Sequence, residues 1–238
     1  MLRIRIIGLA ILAVFAIGAV MSSSASAQVW EECSQGTNHK EFENAGCTKA
    51  NANGPFGWNA ITVAKLVDST GELTLEDTST PLGASAVKCK GVDHGTIGPG
   101  DKDLISSIVA TSCVGVKICE APIVAEPVNL PWGTLLETVG GKIRDKITSE
   151  ISGAKIGWKV KCTAGIFGEQ NDLCLSASTT TGMDNSINGS VADVTALFDA
   201  SSSRASCSLG NSTSGVVTGF NLVEGLNRSG APLGIRVK

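Results

Sequence analysis

Val87-Lys88-Cys89-Lys90 and Trp158-Lys159-Val160-Lys161-Cys162 carry the reading of the fold. In both, apolar residues and lysines alternate with a period of two. One face of an extended chain is then apolar and the other charged. In both, a Cys falls on the apolar face, which suits a buried disulfide. Glu72-Leu73-Thr74-Leu75-Glu76 alternates in the same way. Upstream of it, Ile61 to Leu66 reads as a strand and Asp68-Ser69-Thr70-Gly71 as a turn, so residues 61–76 are expected to form a hairpin.

Outward from these segments the pattern continues. The apolar residues of 104–110 and of 143–151 fit a helical face as well as a strand. β-branched content and the Gly140-Gly141 break favour strands. Ala121 to Leu130 holds Pro122 and Pro127, so it is an edge strand or an extended loop. Residues 191–198 and 215–223 read as strands, and the Ser-rich stretch 200–206 has turn composition. Residues 28–58 read as polar and irregular, with a turn at Asn53-Gly54-Pro55. Many short strands divided by Gly, Ser, Asn and Pro predict an all-β fold, an antiparallel sandwich or small barrel, in one domain over residues 28–238. A membrane barrel needs aromatic girdles, and zero Tyr with 6 Phe leaves no material for them.

The N-terminus reads as an address. Arg3 and Arg5 precede the uncharged apolar run from Ile6 to Val20, and Ala25-Ser26-Ala27 resembles a cleavage site. This is the pattern of a secretory signal peptide over residues 1–27. The apolar run is shorter than the ~20 residues of a spanning helix, so no membrane span is expected in the mature chain. Cleavage would remove two Arg and leave a mildly acidic domain. The whole chain carries a formal net charge of −3, which excludes a nucleic-acid binder working through a basic face.

All eight Cys lie beyond the signal: Cys33, Cys47, Cys89, Cys113, Cys119, Cys162, Cys174 and Cys207. An even count in an exported chain predicts disulfides. Structural zinc favours tight Cys pairs, and the chain has no C-x-x-C. Its two His, His39 and His94, are not spaced as a finger. Eight Cys allow 105 pairings. The simplest set joins Cys33 to Cys47, Cys113 to Cys119 and Cys162 to Cys174, with Cys89 to Cys207 as a long-range staple.

No catalytic constellation stands out. There is no G-x-S-x-G nucleophile motif, and His94 reads as a surface residue in the turn formed by residues 91–100. A glycosidase needs two facing carboxylates. Glu120, Glu126 and Asp172 are candidates, but spacing selects no pair. Asp184 begins like a calcium loop, yet Thr195 stands where its last acidic ligand belongs, so Asn188-Gly189 reads as a plain turn. Of the four Trp, Trp158 lies on an apolar strand face and is expected in the core. Trp132 follows Pro131 at a corner. No metal or cofactor is implied.

Several short motifs combine: the Cys33…Cys47 opening, Gly95-Thr96-Ile97-Gly98-Pro99-Gly100, Thr111-Ser112-Cys113 with Cys119, Asn129-Leu130-Pro131-Trp132, Gly157-Trp158 before Cys162, and Asp172 before Cys174. Together they resemble a group of secreted, cysteine-containing β proteins of soil actinobacteria, over residues 30–198. That group has no established activity. The resemblance therefore implies an origin and a style of fold, and no catalytic residue. The expected role is an exported, non-catalytic β domain that binds a ligand or builds the cell envelope, its partner a cell-wall glycan or an envelope protein. The alternative is a secreted, glycan-directed hydrolase with an acidic site.

Overall fold

The computed structural model describes residues 28–36, 40–211 and 213–238. Segment 1–27, read from the sequence as a signal peptide, and His39 lie outside them. Sixteen antiparallel strands make up the described chain. Four are long and central: β3 (Lys65–Thr80), β4 (Gly83–Ile97), β5 (Lys102–Gly115) and β14 (Gly215–Leu226). Shorter ones are β7 (Trp132–Val139), β8 (Lys142–Ser149), β11 (Thr179–Asn188) and β12 (Val191–Phe198). Pairing runs β3-β4-β5-β7-β8-β11-β12-β14 and returns from β14 to β3, so these eight strands close a barrel. Closure removes the free sheet edges that an open sheet would expose.

The long strands run past the barrel and wall a second lobe. There β14 also pairs β13 (Arg204–Cys207), and the sheet continues through β10 (Glu169–Ser176) and β9 (Ile156–Thr163) to β6 (Glu120–Val128). Across the end of the barrel lies a small sheet of β2 (Phe56–Ala60), β1 (Trp30–Gln35) and β16 (Ile235–Val237). The two-residue β15 (Pro232–Leu233) pairs with the end of β14.

Burial follows this division. Trp30, Val67, Ile97, Leu136, Met183, Val194 and Val223 form the barrel core, capped by Ile235 and Val237. Leu75, Val87, Trp132, Ile147, Ile156 and Trp158 form the core of the second lobe. Cys33, Cys47, Trp58 and Ala192 form a third cluster under the small sheet. Arg236 stacks 4.6 Å over the Trp58 ring and pairs with the buried Glu31, tying β16 to β1.

The all-β expectation holds, and the barrel alternative is realised with a lobe added. The ambiguous segment 104–110 is strand, 143–151 is strand as far as Ser149, and β6 is an edge strand paired to β9 alone. Other local expectations are corrected. Residues 61–76 form no hairpin: β3 is continuous through Asp68–Gly71, and the chain reverses between Thr80 and Gly83. A Cβ on Gly71 would stand 2.0 Å from Asn221 Oδ1 and 2.1 Å from the Phe220 carbonyl. This glycine marks a close strand approach, not a turn. Residues 28–58 are not wholly irregular, because β1 and β2 flank the loop. Residues 204–206, at the end of the stretch expected as turn, belong to β13.

The disulfides are Cys33–Cys47, Cys89–Cys113, Cys119–Cys162 and Cys174–Cys207. Only the first of the four expected pairs is formed. Proximity in sequence misled because strand partners decide the rest. Cys113 lies on β5 beside β4, while Cys119 precedes β6 and meets β9. Cys174 stands directly opposite Cys207. Cys89–Cys113 and Cys174–Cys207 link strands that are already neighbours, and Cys119–Cys162 ties the residue before β6 to β9.

Candidate functional site

The second lobe encloses a cleft. Leu75, Val87, Trp132, Ile156, Trp158 and Val160 supply its apolar walls, and the exposed Arg204 stands at its rim. Alternation on β3, β4 and β9 sends these side chains to one face, as the sequence predicts. Trp132 and Trp158 meet edge to face with centroids 6.1 Å apart, a favourable aromatic geometry. Trp132 Nε1 donates to the Val128 carbonyl at 2.9 Å, so its polar atom is satisfied behind the wall. The cavity is about 70 Å3. That is roughly half of a ~150 Å3 apolar cavity that takes up benzene. A narrow chain fits such a space better than a sugar ring.

One corner is polar. Asp77 on β3, Asp172 on β10 and Ser203 just before β13 all line the cleft. They are 3%, 8% and 2% exposed. Asp172 Oδ1 accepts from Ser208 Oγ at 3.0 Å and from the Leu209 backbone N–H at 3.1 Å. Asp77 Oδ1 accepts from the Ser79 N–H at 3.0 Å. Among the described residues Asp77 Oδ2 and Ser203 Oγ have no partner. Burial raises the Asp172 pKa against the pull of Leu209 and Ser208, and the nearby Asp77 raises it further. Gly210 closes over this corner: a Cβ there would come within 2.3 Å of Asp77 Oδ1.

The barrel interior is the second unusual place. Asp93, Asp103 and Asp145 line it beside Ser69, Thr181 and Asn221. Asn221 Nδ2 donates to Asp93 Oδ2 at 2.6 Å. Desolvation pushes Asp93 and Asp145 up to about 7. Desolvation, with the charges of Asp145 and Asp101, drives Asp103 well above its ordinary range. Among the described residues these acids do not converge as a metal site. The one cluster of three possible ligands is Asp172, Cys174 and Cys207, and its sulfurs are joined in a disulfide, so they offer no thiolate.

The structure places the predicted candidates unequally. Asp172 is in the cleft, but its partner is Asp77, which spacing did not select. Glu120 and Glu126 are exposed on β6. Asp77 lines the same polar corner as Asp172 and raises its pKa, so the two acids are near neighbours and not the pair named from spacing. His94 lies on β4, not in a turn. It is exposed, and its Nδ1 lies 2.6 Å from Asp68 Oδ1 on β3. Asn188-Gly189 makes the expected turn between β11 and β12. Among the described residues no helix is long and apolar enough to cross a membrane. Comparison of the chain with protein-family models, with curated proteins and with solved structures found no match.

Proposed function

We propose that this chain is an exported, non-catalytic binding domain whose ligand places a narrow apolar group in the cleft between Trp132 and Val160. The observation that carries the reading is the cleft itself, apolar walls around a few convergent polar groups, which is the ordinary make-up of a small-molecule site. Four disulfides suit an oxidising compartment. The export signal over residues 1–27 and the resemblance to secreted actinobacterial β proteins support the same setting. A cell-wall glycan fits this cleft poorly, so an envelope or extracellular apolar molecule is the preferred ligand.

The test is a titration of the oxidised chain with n-hexanol, followed by tryptophan fluorescence and thermal shift. Saturable binding is expected in wild type. Val160→Phe, which fills the cleft, should weaken it about tenfold or more at unchanged β-sheet content. Absence of saturable binding, or equal binding by the filled variant, overturns the proposal. N-terminal sequencing of the protein from its producer should begin at Gln28; a start at Met1 overturns the export reading.

A further inference from the structure

The polar corner of the cleft says more than its walls. Asp77 Oδ2 and Ser203 Oγ are buried acceptors to which nothing is bonded among the described residues. Leaving such groups unsatisfied is costly. Asp77 and Asp172 add carboxylates, and among the described residues no Lys or His lines the cleft. Arg204, at the rim, gives its Nη1 to the Thr213 carbonyl at 3.4 Å. Asp172 Oδ1 is held by Ser208 and Leu209 and Asp77 Oδ1 by the Ser79 N–H, which leaves Asp77 Oδ2 to meet a ligand.

We infer that the ligand is a narrow aliphatic amine, its chain along Trp132 and Trp158 and its ammonium donating to Asp77 Oδ2, with Ser203 Oγ as a second acceptor. The inference rests on the reading that the cleft takes a narrow apolar group, and it adds the head group. An ammonium brings three donors and a positive charge to a corner that offers acceptors and negative charge. A carboxylate head would be repelled there. A neutral alcohol satisfies one acceptor and leaves the charge alone.

The test compares hexylamine, hexanol and hexanoate, equal in chain length, by tryptophan fluorescence at pH 7.5 on the oxidised chain. Hexylamine should bind at least about 10-fold tighter than hexanol, and hexanoate more weakly than both. In Asp77→Asn the preference for amine over alcohol should fall to within about twofold while hexanol binding persists. Ser203→Ala should weaken the amine by a smaller factor. Equal binding of all three by wild type overturns the amine assignment and leaves the cleft reading standing, with water filling the corner. No binding of any of them overturns the cleft reading itself. If Asp77→Asn does not fold, the wild-type series alone decides.

Discussion

Gly71 shows how one residue can hide its role. Its place after Asp68-Ser69-Thr70 reads as the end of a turn, because Gly, Ser and Asp favour turns. In the structure it sits mid-strand, opposite Gly91 on β4 and Asn221 on β14. The space that its missing Cβ leaves is filled by Asn221, whose amide reaches inward to Asp93. Gly71→Ala must push Asn221 aside and break that bond. We expect it to destabilise the fold by about 2–3 kcal/mol, read as a lower urea midpoint with unchanged slope. A shift under a few tenths of a kcal/mol would remove the packing role assigned to this glycine. His94 was misread for a related reason. The glycines of residues 91–100 suggested a turn, yet β4 runs through to Ile97. In that register Asp93 faces the barrel interior and His94 faces solvent.

At the level of strands and bridges, alternation was the dependable signal. Val87 and Cys89 are buried with Lys88 and Lys90 outward, and Trp158 and Cys162 are buried likewise. What alternation could not supply was partnership. The period-two pattern says which face a residue takes, and says nothing about which strand lies beside it. That is why strand positions were readable and three of the disulfides were not. It is also why Asp77 and Asp172 could not be paired from spacing, since they meet only after β3 and β10 are laid into one lobe. The bridges make a graded prediction. Cross-links confine the unfolded chain, and longer loops should matter more. Cys119–Cys162 spans 43 residues and Cys33–Cys47 spans 14. Replacing the first pair by Ala should cost ~4 kcal/mol and the second ~3 kcal/mol by this loop-entropy argument, measured by chemical denaturation. Peptide mapping of the oxidised protein should return the four pairs described. Any peptide joining Cys113 to Cys119 would contradict the strand order.

For the molecule as a whole, the buried acids should set the pH dependence of stability. Asp93, Asp145 and Asp193 are raised from an ordinary 3.8 to about 7, chiefly by desolvation, and Asp103 is raised well above its ordinary value. The unfolded chain gives up these protons near pH 4, whereas the folded chain keeps them until about pH 7 or beyond. Between those limits the folded state binds more protons, so stability falls as pH rises, at ~1.4 kcal/mol per pH unit for each group. Below pH 4 both states are protonated and these groups contribute no slope. Asp199 and Glu169 work the other way. Their hydrogen bonds, first to Ser201 and to Lys161 respectively, hold their pKa values low, so the stability they add is lost only on acidification. Glu169 is exposed and Asp199 half-exposed, and solvent screening keeps their effect small. The protein should therefore be most stable near pH 4–5 and weaken steadily toward pH 8, seen as a falling urea midpoint. Asp145→Asn should flatten that fall twice over. It removes one titrating group and also the neighbouring charge that helps raise Asp103. A midpoint that stays level or climbs from pH 4.5 to pH 8 in wild type would mean that the barrel interior holds its carboxylates ionised. The acids would then need donors or counter-charges beyond the contacts described for them.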